Sequence, residues 1–181
     1  MRGATPPRVL VVDDDRLLLD GLRRQLHGTF ELATALGGHE GLDVLRAAGR
    51  GGGFAVVLSD YQMPQMNGAS FLAAVRDVAP DATRMLLTGQ ADLNGVASVV
   101  NQGGVFRFLM KPVSRDVLTE ALRAGVEQHY LVTAERELLE QTRLGILRPL
   151  NVRLQRVGGE LPPATSPPSP SSAPPWIPPT R

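Results

Sequence analysis

Short apolar runs, each ending abruptly in polar or charged residues and each followed by helical spacing, leave this chain few ways to fold. Val9-Leu-Val-Val12 ends in Asp13-Asp14-Asp15, Phe54-Ala-Val-Val-Leu58 in Ser59-Asp60, and Thr83-Arg-Met-Leu-Leu87 in Thr88-Gly89. Val105-Phe-Arg-Phe-Leu109 ends in Met110-Lys111-Pro112. Runs of this length, rich in branched residues and closed by turn formers, are those of strands buried on both faces of a parallel sheet. Phe30–Ala35 alternates instead, as a strand near a sheet edge does.

Between the runs, apolar residues recur at helical spacing. Leu18, Leu19, Leu22 and Leu26 predict a helix over 16–26, stopped by Gly28, and further helices are expected over 39–48, 70–78 and 92–102. Pro80 closes the third, while Asp92 caps the fourth and Gly103-Gly104 ends it. Strand and helix alternating five times demand a parallel sheet with helices on both faces and right-handed crossovers.

That architecture gives the strand ends a common address. In open sheets of this kind the carboxyl ends of the strands lie on one edge, where ligands bind. Asp13, Asp14, Asp60, Thr88 and Lys111 therefore converge from points far apart in sequence. Taken alone, Asp60 reads as a residue that starts a turn, a common use of aspartate before Pro64 and Gly68. Beside other carboxylates it reads differently, because grouped acids raise one another's pKa unless a cation lies between them. An all-oxygen donor set suits a hard ion, and Mg²⁺ is satisfied by one or two carboxylates with waters and phosphate oxygens. Lys111 is the single lysine among 19 basic residues, the rest being arginine. It marks a place that wants a compact ammonium on a mobile stem.

Composition narrows the function classes. A formal charge of +1 implies no strong pull toward nucleic acid or membrane. The absence of cysteine excludes disulfides, thiolate metal sites and thiol catalysis, and agrees with a cytoplasmic, reducing setting. The first apolar run has four residues before the aspartates, too few for a signal peptide or membrane span. His27, His39 and His129 stand in no phosphodonor context and read as surface residues.

Four stretches together carry a resemblance: Val11-Val-Asp-Asp-Asp15, Asp60-Tyr-Gln-Met-Pro-Gln-Met-Asn-Gly68, Leu87-Thr-Gly89 and Phe108-Leu-Met-Lys-Pro112. In this order and at this spacing, residues 8 to about 128 resemble the receiver domain of two-component response regulators. The resemblance implies a flavodoxin-like (βα)₅ α/β fold with strand order 2-1-3-4-5. It also implies that Asp60 accepts a phosphoryl group from a sensor histidine kinase or phosphotransfer protein. Asp13, Asp14, one Asp60 oxygen and the Gln62 backbone carbonyl would bind Mg²⁺. Lys111, the Thr88 hydroxyl and the Gly89 amide would share the phosphoryl charge. Thr88 and Phe108 would form the switch pair that reshapes the fourth helix, fifth strand and fifth helix, a face that could also form a homodimer. Such a protein promotes only its own phosphorylation and dephosphorylation and is not an enzyme in the turnover sense.

The segment after the receiver is legible mainly by composition. Helix-favouring residues run from Ser114 through Thr142, about 40 Å at ~1.5 Å per residue, so the distal part is expected to project. Leu131, Ala134 and Leu138 follow a 3-4 spacing that suits a short dimer seam or a solvated linker. Gly145 and Pro149 are expected to interrupt the helix. Nine prolines between Pro162 and Pro179 predict a disordered tail over 158–181, with Trp176-Ile177 as a candidate anchor. The expected organisation is a flexible 1–7, a receiver over 8–128, a helical extension over 129–157 and the tail.

The sequence supports a receiver that relays phosphoryl groups through protein contacts. The alternative is a truncated remnant of a receiver joined to an HD-GYP-type cyclic-dinucleotide phosphodiesterase, which Gly104–Pro112 and Glu137–Thr142 resemble. That family continues with an apolar helix where this chain turns to arginine and proline, as a frame slip near Arg143 would produce. A Mg²⁺-dependent phosphohydrolase with an aspartate nucleophile fits less well, since it wants a second acid where this chain has Gln62.

Overall fold

A computed structural model describes residues 6–49, 53–89 and 104–157, with side chains as far as 143. Five strands form one parallel sheet: β1 (Arg8–Asp13), β2 (Glu31–Leu36), β3 (Phe54–Asp60), β4 (Thr83–Thr88) and β5 (Arg107–Met110). Their order across the sheet is β2-β1-β3-β4-β5, with every neighbouring pair parallel. This is the flavodoxin-like order, and the chain switches direction across the sheet between β1 and β3. Helices α1 (Arg16–Leu26), α2 (Gly38–Ala48) and α3 (Gly68–Val78) fall where the apolar spacing predicts them. The helix expected over 92–102 lies outside the described residues, as do the tail and its Trp176-Ile177 pair.

Alternation along the strands builds two cores. Val9, Val11, Val56, Leu58, Met85 and Leu87 point to one face, where Leu19, Leu22 and Leu26 of α1 and Leu118 and Leu122 of the C-terminal helix cover them. Leu10, Val12, Val57 and Leu86 point to the other, beneath Leu42 and Leu45 of α2 and Phe71, Leu72 and Val75 of α3. Because both faces are packed, β1, β3 and β4 read as continuous apolar runs, whereas the edge strands β2 and β5 are partly exposed. The buried character persists to the strand ends: Asp13, Asp60 and Thr88 are all buried.

The C-terminal helix is Arg115–Val157, so its backbone continues through Gly145 and Pro149, where an interruption was expected. Proline there forfeits the bond to the carbonyl four residues back, and the good helix formers on either side outweigh that single loss. By contacts the chain divides into Met1–Leu138 and Leu139–Arg181. In the first unit, Val126 is the last residue of this helix that enters a core, and Leu131, Ala134 and Leu138 are exposed. Among the described residues, no helix is long and apolar enough to cross a membrane.

Candidate functional site

Three strand ends meet at the carboxyl edge of the sheet. Asp13 closes β1 and Asp60 closes β3, its neighbour, while Lys111 follows β5 beyond β4. The Lys111 Nζ lies 2.6 Å from Asp60 Oδ1 and 2.9 Å from Asp13 Oδ2. One ammonium therefore holds two carboxylates, whose oxygens can be no farther apart than those two bonds end to end. Lys111 is tied to the sheet by its own amide, which donates to the Thr88 carbonyl at 2.9 Å. The Lys111–Pro112 peptide is cis.

Burial dominates the electrostatics. The Asp60 carboxyl is pushed above the ordinary carboxylate range, first by burial and further by Asp13. A hydrogen bond and charge attraction from Lys111 and the Gln62 amide pull it the other way without overcoming burial. For Lys111, burial would lower the pKa, but bonds to Asp60 and Asp13 outweigh it and leave the ammonium more firmly protonated than usual. The two acids thus share one firmly held positive charge, which is fewer than they could use.

The remaining expected residues fall around this pair. Asp14, one residue beyond the β1 end, is exposed. Thr88 is buried and its hydroxyl donates to the Gly89 carbonyl at 3.2 Å. Gln62 is exposed, and its backbone N–H donates to the Asp60 carboxylate. Phe108 is partly buried against the α2 and α3 core, while Phe106, just before β5, is 40% exposed. Of the two rings, Phe108 is the one seated in packing and Phe106 the one facing out.

Among the described residues, no three His, Cys, Asp or Glu side chains form a ready-made metal cage. The donor set still fits Mg²⁺, which needs only one or two carboxylates and completes its octahedron with water and phosphate oxygens. Asp13 and Asp60 supply two carboxylates at one point, and Asp14 adds a third acid beside them.

Some residues of the site carry no obvious signal in the sequence. A Cβ on Gly68 would lie 2.1 Å from the backbone oxygen of Asp60 and 2.9 Å from Leu86 Cδ1, so only glycine lets α3 start this close to the strand. The Gly68 amide donates to the Tyr61 carbonyl at 2.9 Å, closing the intervening loop on itself. Within that loop Gln65 has φ 67°, the left-handed region. The third aspartate, Asp15, caps α1 and bonds to Asp13 through its amide. His129 also departs from expectation: it is half-buried, with Nδ1 2.7 Å from the Asp81 carbonyl, whereas His27 and His39 are exposed.

A doubly wound parallel sheet with an acid pair and a lysine at its carboxyl edge defines a flavodoxin-like class whose site is built from strand ends. Within it, residues 9–123 match the family model of the response regulator receiver domain, and the chain belongs to that family. The hydrogenase transcriptional regulatory protein HoxA of Cupriavidus necator is 34% identical over 119 residues, 66% of this chain and 24% of HoxA. A crystal structure described as an adenylate cyclase from Rhodopirellula baltica aligns with TM-score 0.70 and 38% identity, covering 75% of this chain and 98% of that one. The signal receiver domain of an HD domain-containing protein from Pseudomonas fluorescens aligns with TM-score 0.63 and 32% identity, covering 69% and 98%. The chain spans about a quarter of the length of HoxA.

Proposed function

We propose that this receiver takes a phosphoryl group onto Asp60 from the phosphohistidine of a sensor kinase or phosphotransfer protein, in a Mg²⁺-dependent reaction. The observation that carries the reading is the 2.6 Å contact between Asp60 and the only lysine, an ammonium held also by Asp13. An Asp60 carboxylate oxygen attacks phosphorus, the phosphorus–nitrogen bond breaks, and the imidazole leaves with a proton while an acyl phosphate forms. Transfer of this kind passes through a loose transition state, so the protein contributes alignment and neutralising charge.

Lys111 would move its ammonium from the bare Asp60 oxygen to a phosphoryl oxygen without leaving Asp13, a reading its contacts with both acids support. The Thr88 hydroxyl would exchange its bond to the Gly89 carbonyl for one to the phosphoryl group, and the Gly89 amide would supply a second donor. Asp13, Asp14, Asp60 and the Gln62 carbonyl would hold Mg²⁺, whose chemistry is to neutralise the phosphoryl oxygens. With Thr88 drawn inward, the Phe108 ring would turn into the space released, biasing the face around β5 and the C-terminal helix toward partner or homodimer contact. The receiver unit would be 8–128 and the helix beyond it a linker. The protein would catalyse nothing but its own phosphorylation and hydrolysis.

The test is labelling with acetyl phosphate and Mg²⁺. Stoichiometric label is expected on the native chain and none on Asp60→Ala; undiminished label on that variant refutes the assignment. A second reading makes the domain the input module of a cyclic-dinucleotide phosphodiesterase. It is favoured by the similarity to a receiver of an HD domain-containing protein. Translation of the adjoining DNA in all frames decides it, an HD-type continuation supporting this reading and none removing it.

A further inference from the structure

Asp15 makes no contact with either Lys111 or Asp60 among the bonds of the described residues; its bonds run into α1 and back to Asp13. Its carboxylate accepts from the amides of Leu17 at 2.8 Å and Leu18 at 3.2 Å, and its carbonyl accepts from Leu19 at 3.1 Å. It is therefore the N-cap of α1, in an extended conformation of φ −93° and ψ 103°. In that conformation its own amide points backward and donates to Asp13 Oδ1 at 2.9 Å. Asp13 is thus gripped from two sides: Oδ1 by the Asp15 amide and Oδ2 by the Lys111 ammonium at 2.9 Å.

The two grips differ in kind. Lys111 is a flexible stem whose charge is divided between Asp13 and Asp60, and under the reading above it is the group that moves. The Asp15 amide is backbone, and it stays aimed at Oδ1 only while Asp15 remains in the cap conformation. The bonds to Leu17 and Leu18 keep it there. A buried carboxylate with one oxygen fixed by a rigid amide keeps its direction when its other oxygen changes partner.

We propose that Asp15 is a positioning residue for phosphoryl acceptance: by capping α1 it holds its amide on Asp13 and so aims the Asp13 carboxylate at the acceptor site. Its useful property is the acceptor oxygen of its side chain and not its negative charge. This sets it apart from Asp13, whose charge faces the Lys111 ammonium. The inference rests on Asp60 being the phosphoacceptor.

The experiment compares the full chain with Asp15→Ala, Asp15→Asn and Asp15→Ser. Calorimetric titration with Mg²⁺ alone reads the aim of Asp13 without any phosphodonor. Labelling rates across acetyl phosphate concentrations read the reaction. Asp15→Ala is expected to bind Mg²⁺ about fivefold more weakly, a lost cap expressed as affinity, and to lower the maximal labelling rate similarly with donor KM unchanged. Asp15→Asn and Asp15→Ser, which cap without charge or with a hydroxyl, are expected to stay within about twofold of native. If Asp15→Asn is as impaired as Asp15→Ala, the residue acts by charge; if Asp15→Ala matches native, the amide needs no cap. Either result overturns the proposal. Thermal melts set the assay temperature below each transition, and if Asp15→Ala unfolds, Asp15→Gly, a tolerated cap without the acceptor, takes its place. A native chain that takes no label, with Mg²⁺ affinity still dependent on the cap, refutes the phosphoacceptor reading and leaves the positioning of Asp13 intact.

Discussion

Replacing Asp60 with asparagine is expected to stabilise the fold at neutral pH while abolishing phosphoryl acceptance. Asp60 is 5% exposed and its carboxyl is raised from 3.8 chiefly by burial. Taking a carboxylate out of water costs several kcal/mol even after relaxation. An ammonium 2.6 Å away returns about 6 kcal/mol at an effective dielectric near 20, but it is shared with Asp13, which also repels Asp60. Divided between two acids, that return is about 3 kcal/mol for Asp60, so against a cost of several kcal/mol the ionised group is left a burden on the order of 1–2 kcal/mol, which asparagine, of the same shape and uncharged, sheds. A domain of this size shifts by roughly 3–5 °C per kcal/mol, so the melting temperature should rise by about 3–10 °C.

The pH dependence fixes the sign. A folded-state pKa above the unfolded value means that stability is fully present below 3.8 and is lost as pH rises through the folded value. At pH 7.5 the native chain bears the whole penalty; below pH 3.8 both side chains are neutral and the advantage of the variant should vanish. Urea denaturation and thermal melts at both ends, without Mg²⁺, measure this directly. A variant less stable than native at pH 7.5, or a gain that persists unchanged in acid, refutes the electrostatic account of the site.

Lys111→Met should destabilise by about 2–3 kcal/mol at pH 7.5, the cost of orphaning two buried acids discounted for the partial exposure of the ammonium, and recover as acid protonates them. Because the Lys111 pKa is raised, its contribution is present below 10.5 and lost above the folded value; urea midpoints should fall there for native and not for this variant. Gly68→Ala should cost about 3 kcal/mol and suppress labelling, since the new methyl meets the backbone of Asp60; label at the native rate would show that α3 retreats freely. Gln65→Gly should gain up to about 1 kcal/mol by relieving a left-handed backbone, and Gln65→Val should lose about as much or more, both read from urea midpoints.

Much of the fold is written in local pattern. β1, β3 and β4 are apolar runs because both of their faces are covered, and α1 shows its face through Leu19, Leu22 and Leu26. The limits of that pattern are equally physical. Strands extend past their apolar runs because backbone pairing ignores side-chain polarity: Asp60 still pairs with Leu87 and Thr88 with Met110. β5 starts later than Val105 suggests because pairing with β4 begins at Met85 and Arg107. At the other end, the helix runs through Gly145 and Pro149 because propensity is a sum over neighbours rather than a veto by one residue.

From the sequence alone came the sheet, its order by resemblance, and the acids and lysine gathered at its carboxyl edge. Those depend on periodicity and on where apolar runs stop, which are properties of the chain read in line. Only the tertiary structure decided that Asp13 is buried against Lys111 while Asp14 faces solvent, that the Asp15 amide bonds to Asp13, and that Gly68 leaves no room for a Cβ. Neighbouring residues of identical type part ways because the strand ends between them, and a side chain's direction and burial are set there by pleat, turn and register.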